Sequence, residues 1–153
     1  MTTFNKSDFR SITINHSATG EARTFYVKFD GTEIISAARK IKGNHKRAYT
    51  VSQCAIGGNA GTKIYRKSQR TAVNFHSSDS TGKNRNMNLY TNRLVWAAWN
   101  NNGVMPPAGQ SFHVDHVDGN HRNEHYSNLE LVTNTENQRR KNERLFQPMM
   151  EAA

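Results

Sequence analysis

Hydrophobic and polar positions alternate most cleanly over residues 24–35, TFYVKFDGTEII, around Asp30-Gly31. Period two with an Asp-Gly turn predicts a β-hairpin. Residues 36–47, SAARKIKGNHKR, predict a short helix capped by Ser36 and ending at Gly43. Residues 51–62 hold Gly57, Gly58 and Gly61 and read as a loop. No Gly-Lys-Ser/Thr follows at the spacing a phosphate loop needs. Residues 63–76 read as a strand and 77–88, SSDSTGKNRNMN, as a polar loop. In 89–99, LYTNRLVWAAW, Leu94 with Ala98 and Val95 with Trp99 fall at i, i+4, which predicts a helix with one apolar face. Asn100 to Gly103 stop it, and Pro106-Pro107 prevent its resumption. Trp96 and Trp99 are expected as core anchors.

The last third reads strand, loop, strand, helix. Residues 112–117 and 129–132 are the strands and 118–128 the loop between them. Thr133 and Glu136 predict a reciprocal capping box. The helix it opens should end before Pro148. No internal repeat is visible.

Composition narrows the functional class. The chain has 153 residues, only 35% of them hydrophobic, and a net charge of +9. A small core and a polyanionic partner are implied. No run approaches the roughly 20 apolar residues that span a bilayer, and the first residues lack the apolar run of a signal peptide. Cys54 is the single cysteine, so an intrachain disulfide and a paired-cysteine zinc site are excluded. A soluble protein of a reducing, cytoplasmic compartment is expected, with no membrane association. The charge is uneven. Residues 1–100 hold sixteen Lys and Arg against five Asp and Glu, a balance of +11, whereas 101–153 balance at −2. Lys28, Arg39, Lys40, Lys63, Arg66, Lys67 and Arg70 are the candidate phosphate contacts of this basic region.

Four of the seven histidines, His113, His116, His121 and His125, lie in the last third. A hairpin with a helix packed across it would bring Asp115, His116 and Asn137 together; Asn128 stands just before the second strand. A carboxylate and an amide oxygen suit a hard cation such as Mg²⁺, which keeps several waters. An imidazole can take a proton from a water. Together these are parts of a phosphodiester hydrolase. His113 shares the strand face of Asp115, while His121 and His125 are expected to face solvent from the loop. Arg139 and Arg140 follow Asn137 on the helix and are candidate phosphate contacts.

At these residues the stretch HVDHVDGNHRNEHYSNLELVTNTENQRRK resembles the HNH nuclease family, in the variant found in phage and intron-encoded homing endonucleases. Asp115-His116, Asp118-Gly119-Asn120, Asn128-Leu129, Thr133 and Asn137 match its pattern. NRLVWAAWNNN is similar to the family's lead-in helix, with Asn92 where a histidine is common. The resemblance spans about residues 89–145. It implies an α+β chain: a basic β-rich DNA-binding region over 1–88, a ββα-metal (His-Me finger) nuclease core over 89–147, and a tail over 148–153. It implies that Asp115 and Asn137 bind one divalent metal ion, Mg²⁺ or alternatively Mn²⁺. His116 would act as general base, and Asn128 would brace the loop and orient His116 by hydrogen bonding. The implied activity is cleavage of double-stranded DNA to 5′-phosphate and 3′-hydroxyl ends, by a monomer or weak dimer, in a phage homing or site-specific nicking endonuclease. Two other readings compete with it. One is a DNA-binding protein with a vestigial core. The other is an RNA-binding protein, for which no RNP-type aromatic motif is present.

Overall fold

A computed structural model describes residues 5–41, 43–55, 71–107, 109 and 111–151. The fold is α+β, with small antiparallel sheets and two helices. Strands β1 (Phe9–Asn15), β2 (Ala22–Lys28), β3 (Ile34–Ser36) and β6 (Tyr49–Thr50) form one sheet in the order β1-β2-β3-β6. Strands β4 (Arg39–Ile41) and β5 (Asn44–Lys46) form a separate hairpin. Strands β7 (Gln53–Ala55), β8 (Thr71–Ser78) and β9 (Asn84–Tyr90) form a second sheet in chain order. Helix α1 (Thr91–Asn100) follows, then the hairpin of β10 (Phe112–His116) and β11 (Leu129–Thr133), then helix α2 (Asn134–Glu151). Among the described residues no helix is long and apolar enough to cross a membrane.

Helix α1 is the centre of the packing. Leu94, Val95, Ala97 and Ala98 are fully or nearly fully buried, and the helix touches β1, β2, β8, β9, β10 and β11. Trp99 donates from Nε1 to the Val27 carbonyl (2.9 Å) and stacks on Tyr126 at 5.1 Å, so it anchors as the i, i+4 pattern implied. Trp96 is partly buried against the same core. The two larger sheets meet through Phe75, whose ring contacts Phe25 and His16 and lies under the Arg23 guanidinium at 4.2 Å. Stacking a planar cation on a ring lets Arg23 be buried there.

The β2–β3 hairpin pairs Phe25 with Ser36 and Val27 with Ile34. Its turn is longer than two residues: Lys28 N bonds Glu33 O, and Gly31 N bonds Lys28 O. Gly31 takes φ +70, where a side chain is rarely tolerated. The helix expected from Ser36 to Gly43 is instead the end of β3 followed by the β4–β5 hairpin. Ser36 is wholly buried and paired with Phe25, so the sheet holds it in extended form. Gly43, at φ +82, is a turn glycine rather than a helix end. The expected polar loop over 77–88 is mostly strand. Seven residue pairs join β8 to β9, and only a short turn separates them. Asp79 Oδ1 accepts from Thr81 N and Lys83 N to close that turn. Residues 63–70 lie outside the described residues, as do Gly57, Gly58 and Gly61; Gln53–Ala55, expected in the loop, pair with β8.

At the other end, Asn102 (φ 53) and Gly103 (φ 81) close α1, with Gly103 N on the Ala97 carbonyl. Thr133 Oγ1 caps α2 by accepting from Glu136 N (3.2 Å). The reciprocal half of the capping box is absent, because the Glu136 carboxylate is engaged by Arg139 and Arg140. The helix also continues through Pro148 to Glu151. A proline removes one N–H from the ladder but leaves the bonds on either side available.

Gly31 couples this framework to the last third of the chain. A Cβ there would stand 2.9 Å from Thr91 Cγ2, 3.0 Å from Val95 Cγ2 and 3.1 Å from Glu124 Cβ. Gly31→Ala is therefore expected to destabilise the fold by about 1–3 kcal/mol, from positive φ and overlap together. Urea denaturation of the two proteins measures it, and an unchanged midpoint would contradict the packing described.

Candidate functional site

Strand β10 places Asp115 and His113 on one face, because side chains alternate along a strand, and His116 at its end. The strand is held on both sides. Its backbone pairs with β11 in the register Asp115↔Glu130 and His116↔Leu129, and Asn92 of α1 donates to the Val114 carbonyl at 2.9 Å. Helix α2 packs on both strands, which carries Asn137 of its first turn to the same place. His113, Asp115, His116, Asn137 and Lys141 line one cleft of about 330 Å³, walled on the α1 side by Tyr90 and Arg93. Asp115 is 7% exposed, His116 2% and Asn137 6%. Polar groups so deeply buried need partners or a ligand.

His116 finds its partner in Glu124, whose Oε2 lies 3.0 Å from Nε2. Glu124 is itself buried, against the Gly31 turn. A carboxylate acceptor selects the tautomer with hydrogen on Nε2, which leaves Nδ1 as the proton-accepting atom of the neutral ring. The His121 ring sits 5.1 Å from that of His116.

The loop between the strands is fixed by Asn128. Its Oδ1 accepts from Asp118 N (3.1 Å), and its Nδ2 donates to Asp118 Oδ1 and to the Asn123 carbonyl, both at 2.9 Å. Its backbone carbonyl accepts from Val117 N. The hydrogen bond from Asn123, with those from Asn120 N and Asn128, holds the Asp118 carboxyl below the usual carboxylate range. Asn128 thus ties the two sides of the loop together. The imidazole of His116 is bonded by Glu124, not by Asn128.

Asp115 Oδ2 accepts from Arg140 (3.1 Å) and Arg144 (3.2 Å) of α2. Arg144 also donates to the carbonyls of His116 and Val117, and its side chain lies over Gly119. Arg140 is shared among Glu136, Asp115 and Glu130, which in that order stabilise its charged form.

The structure brings Asp115, His116 and Asn137 together on one cleft, while Asn128 is bonded within the loop and does not line it. Arg140 meets the acidic side of the site, whereas Arg139 is exposed and paired with Glu136 and Glu143. Arg39 bonds Ser36 Oγ and Lys40 is exposed on the β4–β5 hairpin; neither lines the cleft. Lys63, Arg66, Lys67 and Arg70 lie outside the described residues. His121 and His125 are half-buried rather than solvent-facing. His125 stacks on Tyr126 and meets the Phe29 ring edge-on. Sequence reasoning missed Glu124 and Arg144. Turn-forming residues dominate the loop, and the Glu124 carboxylate between Asn123 and His125 was the available signal.

The donor set suits a hard divalent cation. Asp115 offers carboxylate oxygen, and the Asn137 amide has no hydrogen-bond partner among the described residues. No group of three or more His, Cys, Asp and Glu that could hold a metal occurs among the described residues. Two protein ligands with the remaining positions open to water and phosphate oxygen is the arrangement Mg²⁺ favours.

Residues 90–139 match the family model described as HNH endonuclease. No curated protein and no solved structure matches the chain.

Arg139 foremost, then Arg140, hold the Glu136 carboxyl at about 2, against an ordinary 4.5. A depressed folded-state value means the pairing is complete above the unfolded value and is lost as pH falls from about 4.5 to about 2. An NMR titration of the Glu136 side-chain carbon should give a midpoint near 2. A midpoint near 4.5 would rule out the Arg139–Glu136–Arg140 bridge in solution.

Proposed function

We propose that this chain is a metal-dependent endonuclease of double-stranded DNA, of the phage homing or site-specific nicking kind, a reading supported by the match of residues 90–139 to the HNH endonuclease family model. The observation that carries the reading is the convergence of Asp115, His116 and Asn137 on one cleft, with His116 Nε2 tied to a buried carboxylate. In this reading Asp115 and Asn137 hold the divalent ion, Mg²⁺ or Mn²⁺. When bound, that ion supplies Lewis-acid charge stabilisation at the phosphate.

The chain's own residues do the rest. Glu124 fixes the His116 ring and its tautomer. His116 Nδ1 takes a proton from the water that attacks phosphorus, and the imidazolium that results is stabilised by Glu124. Asn128 keeps the loop from Val117 to Ser127 in the shape that holds Glu124 beneath the ring. Lys141 of α2 and Arg93 of α1 both line the cleft and supply positive charge toward a phosphodiester. Departure of the 3′ oxygen leaves 5′-phosphate and 3′-hydroxyl ends. Arg39, Lys40, Arg139 and Arg140, with Lys63, Arg66, Lys67 and Arg70, contribute backbone affinity, which falls with salt.

One observation favours the alternative, a DNA-binding protein with a non-catalytic core: Asp115 Oδ2 already accepts from Arg140 and Arg144. The two readings separate on metal binding. In the nuclease, Mn²⁺ titrated into the free protein is bound, as read by its electron paramagnetic resonance signal, and Asp115→Ala abolishes binding. In the alternative, both proteins leave the ion free.

Activity tests the reading directly. Asp115→Ala and His116→Ala should each abolish Mg²⁺-dependent nicking of a supercoiled plasmid while retaining DNA affinity in gel shifts. Equal cutting by both variants and the parent would end this mechanism. Glu124→Gln should lower kcat by roughly 10- to 100-fold with little change in KM, since a partner that orients an active group commonly contributes on that scale.

A further inference from the structure

The outer face of the β8–β9 ribbon has a composition that exposure alone does not call for. The register sets Asn74 opposite Asn88, His76 opposite Asn86, and Ser78 opposite Asn84, so these six share one face. All six are exposed. The opposite face buries Val73, Phe75 and Leu89. Asparagine is depleted from strands, where β-branched and aromatic residues hold the backbone better. Four on one ribbon face is therefore a local cost, and such costs gather at functional surfaces. The face also lacks Lys, Arg, Asp and Glu, in a chain of net charge +9.

Position adds to composition. Among the described residues strand β7 pairs with β8 at Thr71, Ala72 and Val73, and beyond Val73 they show a two-stranded ribbon. Asn88 and Tyr90 line a second cleft of about 670 Å³, which shares Tyr90, Arg93 and Gly109 with the cleft of Asp115 and Asn137. The asparagine face thus begins at the wall of the candidate active site and runs away from it.

We infer that this face reads sequence, lying in the major groove of duplex DNA with Asn84, Asn86 and Asn88 against adenines. The inference rests on the DNA endonuclease reading. A two-stranded ribbon fits the major groove of B-form DNA, and the Asn amide pairs in bidentate fashion with adenine N6 and N7. A neutral face suits base edges, while the basic side chains elsewhere take phosphates. At about 3.4 Å per residue the stretch from Asn84 to Tyr90 covers about 20 Å, or roughly six base-pair steps. The positions read therefore fall in one short window on one side of the cut. The narrow major groove of A-form RNA would exclude the ribbon.

Selection of randomised DNA duplexes by the full chain in EDTA tests this by binding, separately from cleavage. The parent should enrich adenine at two or more positions within a window of roughly six base pairs. The triple variant Asn84→Thr, Asn86→Thr, Asn88→Thr keeps strand propensity, and circular dichroism checks its fold. It should lose roughly tenfold or more preference at each such position, with non-specific affinity within about threefold of the parent. A variant that enriches the parent's sequence overturns the inference. So does an equal fall in specific and non-specific binding, or a parent that binds duplex RNA as well as DNA. Mapping nicks on the selected duplex with Mg²⁺ then locates the cut beside the window. Retained enrichment without any nick supports the reading face and overturns the endonuclease.

Discussion

Burial of helix α1 among strands from three sheets is the constraint on which the remaining geometry depends. A ten-residue helix is too short to be stable alone in water. It exists because Leu94, Val95, Ala97 and Ala98 leave water together. In doing so it ties β1 and β2 to one side and β10 and β11 to another. Asn92 donates to Val114 from its first turn, and Trp99 donates to Val27 from its last. The candidate active strand and the N-terminal hairpin are thus hung from opposite ends of one short rod.

The site inherits its precision from that arrangement. Gly31 sits where Thr91, Val95 and the Glu124 Cβ converge, and the Glu124 carboxylate is held by His116. A buried carboxylate beside a buried imidazole is costly unless the two are hydrogen-bonded, and they are. On the other side of the strand, the Asp115 charge is met by two guanidiniums of α2. One of these, Arg144, also fastens the carbonyls of His116 and Val117. Removing either partner of such a buried pair leaves an uncompensated charge, a larger loss than the pair's own net contribution.

What the sequence revealed was uneven for physical reasons. The hairpin β10–β11, its loop and the start of α2 were legible because each rests on local chemistry: alternation, turn-forming Asp and Asn, and a Thr cap. Helix α1 was legible from its i, i+4 pattern. Strand β9 was not, because four of its seven residues are asparagine or arginine and its strand form comes from pairing with β8. Nor was β1, whose only buried residues are Ile12 and Ile14. The 36–43 segment was misread because Ser36 looks like a helix cap in isolation but is a buried strand residue in context. In the site, Asp115, His116 and Asn137 stood out by residue type and spacing. Glu124 did not, since only the folded loop shows that its partner is a histidine eight residues earlier.

The sharing of α1 also bears on how such a segment could be reused. Residues 90–139 match one family model, but they are not a unit of packing. Four strands of the preceding region close over their central helix, and Gly31 of that region forms the floor under Glu124. Grafting the segment onto another scaffold would carry the chemistry without the surface that holds it in place. Any host would need to supply a comparable apolar lining for α1 and a comparable glycine beneath the loop. The candidate site and the strands beneath it therefore form one packing unit, and substitutions in either are unconstrained by the other only where the two do not touch.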